Sequence, residues 1–492
     1  MTLPASGTIK LSQVNTELGL SASAQINMGR SDVRNLFEKP SGTISLADGY
    51  GKSTDPYINN VSLLLRGDGT NGGQNNTFLD SSPNNYTVTR NGDATQGSVS
   101  PFGSNRIYTP SVHGASAYFN KLNTTSVNLG GQSSFAFSGN FTIELWFNAF
   151  SAGLGTPKLY ESRASGQEGN YPTIQHSGTT VGLFMNSATR ISATFSYNTW
   201  NHIALVRNGS TITMYLNGVS AGTYTNSSAT LIGASRPMIA AYPGFDGFDG
   251  CISDIRVLNG TALYTSNFTR PSSPLTSITN TQLLLNFSNA SIYDMVQKSN
   301  LQTVGNVQIS TSVKKYGTGS IYFDGNGDYL KITETESIFD FGTGDFTVEA
   351  WIYVTSFVTD KGSIASGAGP TNGDWMFAIR STTQLSWGRN HIVWDVTTSG
   401  FTFSVNTWYH VAACRSGTTL RIFVNGTAYA TATNSQSYNI QGGNFAIGAR
   451  QLSTGTLSYG EFFTGYIDDL RITKGIARYT SNFTPPSSSF WS

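Results

Sequence analysis

Charge is scarce in this chain. Only 12% of its 492 residues are Asp, Glu, Lys or Arg, against about 25% in an ordinary globular protein. The 29 basic and 28 acidic residues leave a net charge of +1. Nucleic acid and anionic membranes both demand a concentrated basic surface, so neither is expected as a partner. Cysteine is nearly missing: Cys251 and Cys414 are the two in the sequence, too few for a disulfide framework or a zinc cluster. No apolar stretch approaches the roughly 18 residues of a membrane span. The opening MTLPASGTIK has no charged segment followed by an apolar run, so neither a signal peptide nor membrane insertion is expected. Amphipathic helical stretches are also lacking. What is abundant is glycine, 53 residues, with 38% hydrophobic and 12% aromatic residues. That is too apolar for disorder and too rich in turn formers for a helical protein. An all-β, turn-rich protein of about three domains is expected.

Self-comparison shows two copies of one module, and long repeats decide architecture before local patterns do. Phe141–Trp146 (FTIELW) returns as Phe346–Trp351 (FTVEAW), and Asn198–His202 (NTWNH) as Asn406–His410 (NTWYH). Gly250–Val257 (GCISDIRV) returns as Gly465–Ile472 (GYIDDLRI), and YTSNFT stands identically at Tyr264–Thr269 and Tyr479–Thr484. A Leu triplet opens each copy, at Leu63–Leu65 and Leu283–Leu285. The spacing divides the chain into a head, 1–56, and modules at 57–279 and 280–492. Within a module, β-branched and aromatic runs such as Asn201–Asn208, Thr211–Leu216 and Leu420–Val424 alternate with Gly/Asn/Ser turns, which predicts strands. Asn217-Gly218 and Asn425-Gly426 suit the positive φ angles of two-residue hairpins. Repeated hairpins over some 200 residues predict a two-sheet sandwich or jelly roll.

The ordered set FTIELW, NTWNHIALVRNGSTITMYLNG and GCISDIRVLNGTALY, with its second copy, resembles the concanavalin A-like or laminin G-like jelly roll. The head differs: SGTI-x-L occurs at Ser6–Leu11 and Ser41–Leu46, flanking two short possible helices, Ser12–Leu18 and one starting at Ser31-Asp32. SGTIKLSQVNTELG followed by SGTISLADGYGKS is similar to the N-terminal segment of bacteriophage tail and tail-fibre proteins.

Catalytic chemistry is thin. The jelly-roll superfamily includes glycan hydrolases that use paired carboxylates, but their Glu-x-Asp-x-x-Glu pattern does not occur. Glu144 and Glu349 stand alone on their strands, with His202 and His410 as possible partners, and a structural use is expected for all four. Arg66-Gly67-Asp68 reads as a turn. Calcium, which the resemblance makes plausible as a cofactor, would draw on Asp68 and Asp80 in the first module and on Asp324 and Asp328 in the second. Each copy lacks half of that set, since Ser288 replaces Asp68 and Asn120 replaces Asp324. The shared tryptophans Trp146, Trp200, Trp351 and Trp408 are assigned to the core. A sugar-stacking surface is sought among aromatics that the copies do not share: Tyr171, Tyr242, Phe245, Trp387 and Trp394.

The resemblance implies a non-enzymatic virion protein, a tail fibre or adhesin. It would be made in the host cytoplasm, docked on other phage tail proteins through residues 1–56, and bound to host cell-surface glycan through its jelly rolls. A homotrimer is expected by analogy with fibres. The alternatives are a purely structural tail or capsid decoration protein and, less favoured, a glycan-degrading enzyme.

Overall fold

In a computed structural model the chain is described except for residues 1–2, 4–6, 18–20, 22, 24, 38, 40–41, 50–54, 56, 103–107, 109, 123, 131–132, 243–245, 294, 297, 333–335, 358–361, 368–373, 390–392, 441–444, 453–458 and 491–492. Two antiparallel sandwiches follow a small head. The first pairs an eight-stranded with a seven-stranded sheet, and the second repeats that layout. Phe141–Ala149, between Asn201–Asn208 and Asp249–Asn259, is central in one sheet of the first sandwich. Phe346–Val354, between Trp408–Ser416 and Thr464–Lys474, is its counterpart in the second. Between the sheets lie two separate apolar cores. One is built around residues such as Phe141, Leu145 and Ile203, the other around Phe346, Trp375 and Val411.

The expected hairpins are present. Leu216 pairs with Val219 and Val424 with Thr427. Asn217 and Gly218 have φ of 52° and 82°, Asn425 and Gly426 of 47° and 78°. Positive φ at both central residues is the turn whose twist suits a hairpin. The glycines have a second duty. A Cβ on Gly218 would lie 2.0 Å from the Phe268 carbonyl oxygen, and one on Gly426 1.9 Å from that of Phe483. Those carbonyls belong to the repeated YTSNFT segment, which runs as a strap over the hairpin. Phe268 and Phe483 donate their amides to the Gly218 and Gly426 carbonyls, each at 2.9 Å. Within each strap Tyr stacks on Phe at 3.6 Å, Tyr264 on Phe268 and Tyr479 on Phe483. The strap explains why the central strands Phe141–Ala149 and Phe346–Val354 are buried on both faces.

The head forms Leu11–Glu17 and Ser31–Leu36 as helices, close to the expected pair, and encloses a small core of Leu3, Ile9, Val14, Val33, Leu36 and Phe37. Asp55 ties its end to the second sandwich through Arg471 and Arg478, at 3.1 and 2.7 Å.

The module limits 57–279 and 280–492 need correction. The strand Val61–Leu65 pairs with Thr464–Lys474 of the second sandwich, and Thr281–Leu285 pairs with Asp249–Asn259 of the first. Each Leu triplet therefore serves the copy it does not open. Leu63 and Leu65 enter the second core, Leu283 and Leu285 the first. The neighbouring loops follow: Gly72 donates its amide to the Ile309 carbonyl, and the buried Asn75 binds the Ile292 and Leu301 carbonyls. The first sandwich is thus closed by chain that follows it, and the second by chain that precedes the first. Repeated sequence marks equivalent strands but is silent on which copy receives them.

Candidate functional site

The acids and histidines picked from the repeat meet in two matching, sealed clusters. Ala204 lies opposite Glu144 and His202 opposite Trp146, so in a sheet of period two Glu144 and His202 share one face. His202 Nε2 lies 3.1 Å from Glu144 Oε2, Arg256 donates to Oε1 at 2.6 and 2.9 Å, and the Tyr264 hydroxyl donates to Oε2 at 2.8 Å. In the second sandwich His410 lies 3.2 Å from Glu349 Oε2, Arg471 donates to Oε1 at 2.8 and 3.0 Å, and the Tyr479 hydroxyl donates at 2.9 Å. Both Glu and both His side chains are fully buried. Burial alone would raise the carboxyl pKa values, but the His and Arg partners outweigh it: Glu144 is held below its usual range and Glu349 at about 2. A carboxylate that is ion-paired and cut off from solvent holds a sheet to its strap. It has no route to a substrate.

Two further acids went unnoticed in the sequence. Asp254 and Asp469 sit in the shared Gly-x-Ile-x-Asp-x-Arg motif at strand irregularities, with φ of 46° and 45°, and both are buried. Asp254 Oδ1 accepts from the Leu275 amide and from Asn286, just past the incoming strand. Burial pushes its pKa up to about 7. The hydrogen bonds agree: the Ser253 hydroxyl reaches both the Ala115 carbonyl and Asp254 Oδ2, and it has one proton to give. With Asp254 protonated, Asp254 donates to Ser253 and Ser253 to Ala115. Burial and the adjacent Asp468 raise Asp469 well above the ordinary range.

The acids sought for calcium are held by protein donors, although Asp324 and Asp328 lie side by side in the second sandwich. Asp80 is buried and accepts from the Ser82 amide and hydroxyl and from the Tyr86 and Leu284 amides, at 2.8 to 3.0 Å. These are donors, where a cation would require acceptors. Asp68 pairs with Arg66 at 2.9 Å and accepts from the Thr318 amide. Asp328 accepts from the Asn306 and Asp324 amides. Asp324 accepts from the Asn326 amide at 2.7 Å, the same two-residue turn that Asn120 makes with Leu122 at 3.4 Å. Among the described residues no group of three His, Cys, Asp or Glu could hold a metal ion.

Of the unshared aromatics, Trp387 is a correction: it is fully buried between the sheets, stacked on Phe346 at 4.5 Å and Trp375 at 4.9 Å. Phe245 lies outside the described residues. Trp394 is half-buried with the Arg380 guanidinium 4.8 Å from its ring. Tyr242 meets the loop that follows Lys158–Glu161, and Tyr171 stands at that loop's end. The Gly166 amide donates to the Tyr242 hydroxyl at 3.1 Å, and the Tyr171 amide to the Gly169 carbonyl at 2.8 Å. Arg163 in that loop is clamped by Glu161 and Glu168, and lies 5.6 Å from the Tyr242 ring. Tyr171 is nearly covered and Tyr242 half-exposed. The shared tryptophans also divide. Trp146 and Trp351 are buried, but against His202 and His410 on the outer face, while Trp200 and Trp408 are only half-buried.

Residues 121–264 and 324–476, more than half of the chain, match the family model of the concanavalin A-like lectin/glucanase superfamily. The chain belongs to this superfamily. The two matched segments fall one in each sandwich, so both are superfamily members. Solved structures similar to the chain include domains LG4-5 of the mouse laminin α1 chain, 13% identical, covering 80% of this chain and 91% of that one with a TM-score of 0.27. The LG1-3 region of the laminin α2 chain is 11% identical over 73% of this chain and 62% of that one, TM-score 0.34. Domain 4 of AbnA, an extracellular arabinanase of Geobacillus stearothermophilus, in complex with arabinotriose, is 16% identical over 37% and 87%, TM-score 0.29. No curated protein matches the sequence.

Proposed function

We propose that the chain is a non-enzymatic phage virion protein, a tail fibre or adhesin, that docks on other tail proteins through its head and binds host-surface glycan through its sandwiches. The observation that carries the binding role is the meeting of Tyr242 with Arg163 and Gly166 at one loop of the first sandwich. An aromatic ring beside a guanidinium clamped by two carboxylates offers a stacking face and fixed polar groups, the usual makings of a sugar site. The sealed Glu–His–Arg–Tyr clusters favour binding over hydrolysis. For the virion context the support is the tail-protein resemblance of the head and its separate small core. A homotrimer, taken by analogy with fibres, belongs to the same proposal, and calcium is left out because the expected acids are satisfied by protein donors.

The test is a glycan array with the intact chain. A bound glycan lost in Tyr242→Ala, with the melting temperature unchanged, supports the reading. Binding that survives Tyr242→Ala but fails in Trp394→Ala moves the site to the second sandwich. No glycan bound, with normal incorporation into virions, would replace the proposal by a structural decoration role. Light scattering of the intact chain reads the trimer directly.

A further inference from the structure

Where the strand Val61–Leu65 enters the second sandwich it leaves a cleft of about 520 Å³. Its walls include Asn59, Asn60, Lys298, Ser337, Ile338 and Lys474, and an adjoining hollow of about 290 Å³ shares Asn59 and Lys298. Two ammonium groups thus face one opening in a chain with only 29 basic residues, and no described lining residue is acidic. Both cations are fixed at the wall. Lys298 Nζ donates to the Val61 carbonyl, and Lys474 Nζ to that of Ser337 at 2.8 Å.

The first copy shows that this charge is not required by the fold. In the repeated motif Asn259 occupies the place of Lys474. Asn259 Nδ2 donates to the Ser134 carbonyl at 3.0 Å, one residue along from the counterpart of Ser337, so a neutral amide serves at this position in the first sandwich. A neutral side chain suffices at this position in the first sandwich, and the cation belongs to the second. A charge that packing does not need, in a chain that spends few charges, points to a ligand.

We propose that this cleft binds an acidic saccharide. Its anionic group would lie between Lys298 and Lys474, its hydroxyls on Asn59, Asn60 and Ser337, and its apolar face against Ile338. Ammonium groups bind carboxylate or phosphate through charge-assisted hydrogen bonds, and planar amides match sugar hydroxyls. The volume admits one or two sugar rings by comparison with ordinary ligand pockets. The proposal shares with the reading above only the class of ligand, because it uses a different sandwich and different residues.

Calorimetry on the intact chain tests it with a glucuronic-acid-containing disaccharide, the matching neutral glucose disaccharide and inorganic phosphate. The acidic disaccharide is expected to bind at least about tenfold more tightly than the neutral one, which one charge-assisted bond can supply. Lys474→Gln should remove most of that preference without moving the melting temperature, because Lys474 is exposed. Added salt should weaken the binding, and Tyr242→Ala should leave it unchanged. Equal affinity for the two disaccharides, or no effect of Lys474→Gln, overturns the proposal. So does phosphate binding as tightly as the sugar, which would make this a simple anion hole. Binding lost in Tyr242→Ala and kept in Lys474→Gln also overturns it, while leaving the first-sandwich site standing.

Discussion

The exchanged strands make an unusual mutational prediction: a leucine in one repeat should destabilise the other. Leu63 is fully buried and packs in the core of the second sandwich, where its backbone lies opposite Ile472. Leu63→Ala removes three buried carbons and leaves a cavity between sheets that can collapse only partly, which costs about 3 kcal/mol within a range of roughly 2 to 5. For a domain of this size that corresponds to a fall in melting temperature of about 6 to 12 °C. Hydrogen exchange read peptide by peptide locates the damage. Protection should be lost in Thr464–Lys474 and Phe346–Val354, while Asp249–Asn259 keeps its own. Leu283→Ala should give the mirror result, with loss in Asp249–Asn259. If Leu63→Ala instead loosens Asp249–Asn259, each triplet closes its own module and the exchange is wrong.

Other consequences can be measured on the same chain. Native Asp254 keeps its proton to about pH 7 whereas the unfolded group releases it near its ordinary value of 3.8; the native state then binds more protons in that window, so stability should fall as pH rises through it. Asp254→Asn mimics the protonated acid and should flatten the slope, and an unchanged slope would assign the effect elsewhere. Glu349 acts with the opposite sign: its contribution is present above about 4.5 and is lost as pH falls toward 2, so scans at pH 2 to 4 should show a separate loss of stability. Gly426→Ala, strained at φ 78° and driven into the Phe483 carbonyl, should cost at least about 2 kcal/mol in denaturant melts. Gly417→Ala, at φ 58° with open space around it, should cost only about 1 kcal/mol. Removing residues 1–54 should leave the sandwiches' melting unchanged, while Asp55→Ala takes from Arg478 its closest carboxylate, leaves Arg471 on Glu349, and should cost about 2 kcal/mol.

How far the sequence could be read depended on the kind of physics involved. Strand runs and the Asn-Gly turns were legible because side-chain alternation and positive φ are local properties. The partnership of Glu144 with His202 could be suspected because both recur at matching positions. Arg256 and Tyr264 recur too, but their convergence on the same carboxylate depends on sheet order and on the strap, which spacing does not encode. Trp387 was misjudged because a residue present in one copy can still fill a core gap peculiar to that copy. Trp408 shows the converse, since a shared residue stands half-buried at a strand start, packed on Tyr353 at 5.4 Å. The mismatches that weakened the calcium reading now have local causes. Arg66 and Asp68 form an ion pair, and the second copy replaces both, by Asn286 and Ser288. Asn120 and Asp324 cap the same turn, which needs an oxygen and no charge.

The exchange also sets an order of events during synthesis. The first sandwich has all its strands once Thr281–Leu285 has left the ribosome, so it can close while the rest of the chain is still being made. Val61–Leu65 emerges earlier than any strand of the first sandwich, yet its partner Thr464–Lys474 is the last strand among the described residues. The first Leu triplet must therefore wait, exposed, through most of translation, beside a completed sandwich whose own closing site is already filled by the second triplet. Contacts between such distant segments form late because the intervening chain must first be ordered. A chain truncated after residue 300 would present one finished sandwich and one unpaired apolar strand, the species on which a chaperone or a premature association would act.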